Sequence, residues 1–427
     1  MKWLVYIGLF WFCSAVHCQE VLTLQACLDK TEKNILQTGS ESASLRVSQV
    51  EKEFHWWSLL PDLSANTGFT ASFGRRLDPF TNTFATSTVN SQSFGLNSSV
   101  SLFNGFDYFH KRRKLIISAR RDEINLSAKQ NELKIRVIEI YVTLCKLSVQ
   151  IHLADLRIEK YNELQSVQRL LIREGKIDAL DTLKSRNSLL QEQILKADLA
   201  RELKLNLIEL NFHMSLPLVT EHFFDATSIP AITDRPRFTE KFNLESLEME
   251  IEITESQWKS ERSKILPALT LNGLIGTGFS TNNKDYGLAG TPTKRYGDQL
   301  NQNLYEGIGF YLSIPIFSRG EWLKAKKLNN IRQTVLLQQR QTLELTLEKQ
   351  RTLQNQKLLD NRARQELLKQ TAGNLQTIYG KSVFLYQEGR ITYTELETAF
   401  MEWQLKVVEL EALKPEYELL KLLLEAD

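Results

Sequence analysis

Apolar positions recur along this chain at two periods. Most of the length follows helical spacing, with runs at roughly residues 22–60, 106–173, 178–213, 243–265, 320–387 and 394–424. The clearest is Leu133, Val137, Ile140, Leu144, Leu147, Ile151, Ala154, Ile158 and Tyr161, an unbroken alternation of four and three that predicts a coiled-coil seam. Leu396, Phe400, Trp403, Val407 and Leu410 repeat that spacing. At a rise of about 1.5 Å per residue, a helix over 106–173 reaches roughly 100 Å, more than a compact globular domain needs. The run over 320–387 is rich in glutamine and charge, so much of its surface is expected to be wet. Pro415 is expected to kink or end the last helix near Lys414.

Four segments between the helices have period two. In LSANTGFTASFG, Leu63, Ala65, Thr67, Phe69, Ala71 and Phe73 alternate with Ser64, Asn66, Gly68, Thr70, Ser72 and Gly74, which gives one apolar face and one small polar face. FGLNSSVSL places Phe94, Leu96, Val100 and Leu102 on one side, and LTLNGLIGTGF places Leu269, Leu271, Ile275 and Phe279. IGFYLSIPI places Ile308, Phe310, Leu312, Ile314 and Ile316. Each segment has the roughly 9–11 residues that a tilted strand needs to cross a bilayer. The stretches between them, 75–92 and 281–303, are rich in Asn, Thr, Gly, Asp and Pro and predict exposed loops that close two hairpins. Pro315 cannot donate to a ladder and is expected at a strand end or bulge.

The pattern is written twice. LLIREGKIDALD at 170–181 and FLYQEGRITYTE at 384–395 both reach Glu-Gly, then a basic residue, then isoleucine, with an acid six positions after the glycine. Gly175 and Gly389 are 214 residues apart, as are Phe103 and Phe317. Leu60-Pro61 opens the first hairpin as Leu266-Pro267 opens the second, and SLFNG closes the first as SIPIFSRG closes the second, without its proline. The predicted organisation is a first repeat over 19–216, with a hairpin at about 61–106 and a helical turn at 174–178. A linker over 217–242, with Pro217, Pro230 and Pro236, leads to a second repeat over 243–427, with a hairpin at about 267–318 and a turn at 388–392.

Composition narrows the class. The N-terminus MKWLVYIGLFWFCSAVHC has one early lysine, an apolar run from Trp3 to Phe12 and small residues towards Cys18, the layout of a cleaved signal over 1–18 that leaves Gln19 first. Lipid modification of Cys18 is the competing reading, and the bulky His17 directly before it speaks against that. With 53 basic against 51 acidic residues, the balance gives no reason to propose nucleic acid as a partner. Beyond residue 18 only Cys27 and Cys145 remain, on predicted helices, where packed thiols are expected. After the signal no run of eighteen or more apolar residues is read, so no transmembrane helix is expected and any membrane role falls to strands.

Candidate chemistry is thin. His55, His110, His152, His213 and His222 fall at no helical ligand spacing, so no metal or cofactor is expected. GLIGTGFS resembles a phosphate-binding loop superficially, but it lies inside an alternating strand, where glycines on a crowded sheet are the better reading. Acids such as Glu395 and Glu397 lie on a helix with a solvated face. No catalytic constellation is present, and an enzyme is not expected.

Four strands cannot close a barrel, and an open sheet edge cannot be left in hydrocarbon, so the chain is expected to oligomerise. The opening helix LTLQACLDKTEKNI, Leu-Pro before each hairpin, Ile-Pro-Ile-Phe-Ser-Arg-Gly after the second and the paired glycine turns together resemble the TolC-like outer-membrane efflux proteins. The resemblance covers essentially the whole chain after the signal, and it rests on the doubled order more than on any single motif. It implies an α+β membrane protein of two tandem repeats, each a transmembrane β-hairpin plus long coiled-coil helices. Three copies would form a twelve-stranded barrel in the bacterial outer membrane, with a periplasmic helical barrel below it.

The resemblance also implies partners and sites: outer-membrane lipid, a periplasmic adaptor (membrane fusion protein) and an inner-membrane pump of RND or ABC type. The adaptor would meet the turns at Glu174, Gly175, Lys176 and Ile177 and at Glu388, Gly389, Arg390 and Ile391. In the best-known member of that family, a tyrosine three residues before the second glycine and an arginine after it bond the acid that follows the first glycine, closing the entrance. Tyr386 and Asp181 stand at the matching positions, while the basic residue is moved one place, to Arg390. Of two acids that narrow the entrance after the second turn, Glu395 matches the first and Thr398 replaces the second. The function implied is a passive duct that exports small toxic molecules. The outlet of a type I protein secretion system is the alternative, and a periplasmic coiled-coil adaptor or scaffold is a second alternative that four membrane-length strands oppose.

Overall fold

The structure, a computed structural model, describes residues 22–77, 82–85, 88–220, 236–285 and 292–424. The expected signal with Cys18 and Gln19, linker residues 221–235 and parts of both hairpin loops lie outside them. The protein is mostly helical with a small antiparallel sheet. In chain order it runs α1 Leu24–Thr38, α2 Ser40–Phe54, a 3₁₀ turn at His55–Leu59, β1 Asp62–Ser72, β2 Arg76–Leu77, β3 Phe84–Ala85 and β4 Val89–Asn104. It continues with α3 Asp107–Arg173, α4 Ala179–His213, α5 Thr239–Ser263, β5 Ala268–Ser280, α6 Tyr296–Gln302, β6 Tyr305–Ser313, α7 Glu321–Gln387 and α8 Tyr393–Leu424. The chain divides into a helical unit (1–42, 126–243, 343–427) and a sheet-bearing unit (43–125, 244–342).

Three helical expectations are corrected. The single helix expected over 22–60 is broken at Gly39, the residue with the most backbone entropy to lose. Its end tightens into the 3₁₀ turn before Pro61. α8 does not end at Lys414: it carries a buried Pro415 inside and runs on to Leu424. Leu419 and Leu422 beyond the proline pack on the core, and Gln365 Nε2 donates to the Leu413 carbonyl (3.3 Å) just before it. Finally, α3 does contain one stretch long and apolar enough to cross a membrane, half of it buried. The stretch is apolar on two sides because α3 buries Val137, Ile140 and Leu144 and also Ile138, Tyr141 and Cys145.

Those residues centre the helical unit's core, where Leu24, Cys27 and Leu28 of α1 and Leu207 and Leu210 of α4 meet the middle of α3. The predicted seam is buried or half-buried from Leu133 to Tyr161. Tyr141 is 1% exposed and its hydroxyl donates to the Leu22 carbonyl (3.2 Å). Cys27 and Cys145 are both buried thiols in this cluster, and burial pushes the Cys27 thiol up to about 12. Farther along, Arg157 of α3 and Glu192 of α4 form a buried ion pair (2.8 Å). Each charge is tolerable there only because the other neutralises it.

In the sheet-bearing unit the strand order is β1-β4-β5-β6, antiparallel throughout. The register aligns the four period-two patterns. Leu63 lies opposite Ser98 and Phe69 opposite Gln92; Leu96 lies opposite Ile275 and Val100 opposite Leu271; Leu271 lies opposite Phe310 and Leu269 opposite Leu312. Directly opposed residues share a face, so within the paired strands every predicted apolar residue except Leu102 falls on the same side, while Phe73, Ile314 and Ile316 lie beyond the strand ends. A β-bulge between Ser101 and Phe103 shifts the ladder, and Phe103 takes the place opposite Leu269. β4 and β5 are longer than expected, at 16 and 13 residues. β6 ends at Ser313, so Pro315 lies just beyond a strand.

The loop expected over 281–303 holds a helix, α6. Gln299 within it is fully buried, accepting from Ser280 N (2.9 Å) and donating to the carbonyls of Ser280 (3.1 Å) and Lys294 (3.0 Å). The Tyr296 hydroxyl donates to Gln92 Oε1 (2.8 Å), and its ring lies tilted against that of Phe279.

Each strand pair leads into its long helix through two consecutive left-handed residues, Gly105-Phe106 and Arg319-Gly320, again offset by 214. The glycine changes place between them. A Cβ on Gly105 would sit 2.6 Å from the Ser263 carbonyl oxygen, whereas at Gly320 nothing lies within 4 Å. Gly105→Ala is therefore expected to cost about 2–5 kcal/mol, from the left-handed backbone plus overpacking. Gly320→Ala should cost only about 1–2 kcal/mol. Denaturation midpoints of the two variants check the order, and equal losses would show that Ser263 yields freely.

Candidate functional site at the paired helical turns

Both reversals in the helical unit are built alike. After α3, Gly175 (φ +72°) ends the helix, with Gly175 N donating to the Ile172 carbonyl (3.0 Å) and Lys176 N to the Leu171 carbonyl (2.9 Å). After α7, Gly389 (φ +74°) repeats this, with its N–H on Tyr386 O (2.9 Å) and Arg390 N on Leu385 O (2.9 Å). These paired bonds satisfy carbonyls that a helix end otherwise orphans, and the left-handed φ is why glycine stands at both places. The turns are neighbours: a Cβ on Gly389 would lie 3.8 Å from the Lys176 carbonyl oxygen.

The returning helices are capped from within the repeated stretch. Asp178 is the N-cap of α4 and accepts from Leu180 N (3.4 Å). Before α8, Thr392 Oγ1 accepts from Glu395 N (3.3 Å), and the Glu395 carboxylate accepts from Thr392 N (2.7 Å) and Thr392 Oγ1 (3.0 Å). This reciprocal capping box holds the Glu395 carboxyl below the usual carboxylate range. The acid six residues after each glycine thus stands three after a cap, where the helix dipole favours negative charge. The Thr-x-x-Glu spelling was there to be read in the sequence.

Beneath the turns lies a small core of Leu171, Tyr386, Tyr393 and Leu396, with Ile177 and Ile391 packed against it. Of the expected contact residues, Glu174, Gly175, Lys176, Glu388, Gly389 and Arg390 are exposed, while Ile177 and Ile391 are half-buried. Glu174 pairs with Lys176 (2.8 Å) and Glu388 with Arg390 (3.0 Å), so Arg390 is engaged inside its own turn.

Tyr386 is 1% exposed, and its hydroxyl accepts from Gln168 Nε2 (3.2 Å), in place of the expected donation to the Asp181 carboxylate. Burial raises the Tyr386 phenol; the Gln168 bond opposes that and the nearby Asp181 charge adds to it. Asp181 instead faces Lys184 (3.7 Å), whose ammonium also reaches Thr394 Oγ1 (3.4 Å). Gln168, Thr392, Lys184 and Asp178 were not singled out from the sequence. Gln168 carries no signal there, since a glutamine on a long charged helix looks solvated.

Among the described residues, no group of three or more His, Cys, Asp or Glu could hold a metal ion. The arrangement is two glycine turns side by side, flanked by exposed opposite charges.

Residues 58–214 match the profile of the family described as Outer membrane efflux protein. A curated relative, the alkaline protease secretion protein AprF of Pseudomonas aeruginosa, is 26% identical over 236 residues, 52% of this chain and 46% of that protein. The chain thus spans about half the length of that relative. Among solved structures, CusC shares the fold with a TM-score of 0.76 at 15% identity, covering 95% of this chain and 92% of that one. The outer membrane protein VceC of Vibrio cholerae does so with a TM-score of 0.74 at 16% identity, covering 93% and 95%. By sequence over residues 58–214 the chain matches the outer membrane efflux proteins, and over nearly its whole length it has the fold of CusC and VceC.

Proposed function

We propose that the protein is the outer-membrane channel of a tripartite export system, a passive duct and not an enzyme. One observation carries this: all four strands turn an apolar face the same way, on a sheet whose outer strands β1 and β6 each have one side left to pair. Leu63, Phe69, Ile308 and Phe310 on that face are 67–80% exposed, which water would penalise and lipid would not. Three copies joined β6 to β1 close a twelve-stranded barrel with no edge left in hydrocarbon. Each copy contributes its two repeats, and the helical units form the periplasmic part.

Small toxic molecules delivered by an inner-membrane pump through a periplasmic adaptor are the cargo. The match to a protease secretion protein supports protein export as the second reading. The adaptor meets the exposed Glu174, Gly175, Lys176, Glu388, Gly389 and Arg390, while Ile177 and Ile391 hold the turns from below. Tyr386, Asp181, Arg390 and Glu395 keep the entrance narrow by stiffening the tip. Because Tyr386 bonds a neutral glutamine, its bond contributes about 0.5–1.5 kcal/mol per subunit, less than the roughly 1.5–3 kcal/mol of a bond to Asp181. An adaptor opens it by binding the open tip more tightly than the closed one.

Phe69→Arg, on the apolar face, is expected to cost about 2–4 kcal/mol and to block membrane assembly, whereas Thr70→Arg should assemble and alter conductance. Heat-modifiable trimers in outer-membrane fractions report assembly, and the reverse pattern would refute the lipid-facing assignment. At the tip, Asp181→Ala combined with Tyr386→Phe should raise single-channel current; unchanged current with intact trimers would reduce these residues to packing. Glu395 adds a pH effect. Its carboxyl is held low in the folded state, so its stabilisation is present at neutral pH and lost as pH falls through the lowered value. Hydrogen exchange at Thr392 N, corrected for intrinsic rate, should accelerate below the usual carboxylate range, and Glu395→Ala should give that fast exchange at neutral pH. Slow exchange in the variant would mean the box does not hold the helix start.

A further inference from the structure

Charge is nearly absent from the sheet. The four strands β1, β4, β5 and β6 contain no basic residue and two acids, Asp62 and Glu306. The register puts Glu306 on the apolar face, opposite Ile275. Asp62 begins β1 on the polar side, where its carboxylate accepts from Ser99 N (2.7 Å). Beyond Asp62 the polar face is serine, threonine, asparagine and glycine, with Tyr305, Tyr311 and a few aliphatic positions.

Two glycines of this face are spaces for rings. A Cβ on Gly276 would come within 2.4 Å of the Tyr305 ring, and one on Gly309 within 3.0 Å of the Tyr311 ring, so both phenols lie along the wall. A duct lined by one sign of charge focuses a potential of several kT and sorts its contents by sign. Lumen-facing positions of a barrel tolerate charged residues, which tune selectivity. Here hydroxyls and amides can solvate either sign, and Asp62, bonded to Ser99 N at the start of β1, is the one strand carboxylate each copy turns to this face.

We propose that the barrel section of this duct is charge-blind, suited to organic molecules of either charge and not to metal cations. This rests on the barrel reading given above. The phenol rings add apolar surface for ring-bearing cargo, and selection by charge falls to other parts of the duct.

The test places single cysteines on the two faces: Asn97→Cys, with Ser93→Cys as a second variant, on the polar face, and Thr67→Cys on the apolar one. All three positions are exposed, while Cys27 and Cys145 are buried. Trimers reconstituted in vesicles are treated, from the hairpin-loop side, with cationic trimethylammonium-ethyl or anionic sulfonatoethyl methanethiosulfonate. Rates are normalised to a small thiol in solution. At Asn97→Cys and Ser93→Cys the two reagents should react within about threefold of each other, as expected where no net field acts. A preference above about tenfold for either sign would overturn the inference while leaving the barrel intact. Reaction at Thr67→Cys with none at the polar positions would instead remove the barrel reading, and this inference with it.

Discussion

The hydrogen-bond register between β4 and β5 is the constraint on which the rest of the structure depends. These two strands come from separate hairpins, some 170 residues apart in the chain, and their ladder fuses the hairpins into one sheet. Because side chains alternate with period two, a slip of one residue here would turn Leu269, Leu271, Ile275 and Phe279 away from Phe94, Leu96 and Val100. The sheet would then have two mixed faces. Register is held by the bulge at Leu102, by the side-chain bonds of α6 to the end of β5, and by Gly105, packed under the Ser263 carbonyl where β4 leaves the sheet.

The helical unit obeys a different rule, that every helix end needs partners for its orphaned backbone groups. The repeated stretch supplies them at both turns: a left-handed glycine for the outgoing helix and an acid-bearing cap for the returning one. The two turns can then lie against each other as rigid bodies, with their charges outward. Tyr386 and Gln168 add a buried polar bond between α7 and α3, which fixes the pairing of those helices more than it adds stability.

Much of this was legible in the sequence because period and position coincide. The strand faces, the bounds of α3, α4, α7 and α8 to within a residue or two and the offset of 214 all follow from spacing, whereas α5 begins four residues early, inside the expected linker. What was missed depends on contacts far apart in the chain. α6 has no apolar stripe and is held by side-chain bonds to β4 and β5, with buried Gln299 among them, so its segment reads as a loop. Pro415 reads as a kink or an end because proline breaks ladders, and the helix does not end there because leucines on its far side pack on the core. The acids after the glycines were read as entrance charges, and the structure gives Glu395 a capping bond and turns Asp181 towards Lys184. The bond expected between Tyr386 and Asp181 goes to Gln168 because the phenol is buried against α3, beyond anything local spacing reveals.

If three copies close the sheet, β6 of one must pair with β1 of the next. Cysteines scanned in pairs along Ser64–Thr70 and Gly307–Ser313, oxidised in outer-membrane fractions and run under denaturing conditions, test that directly. The account predicts covalent species that appear only at antiparallel register-matched pairs and stop at three copies. Crosslinks at no pair, or a ladder that continues past three copies, would contradict the closed barrel.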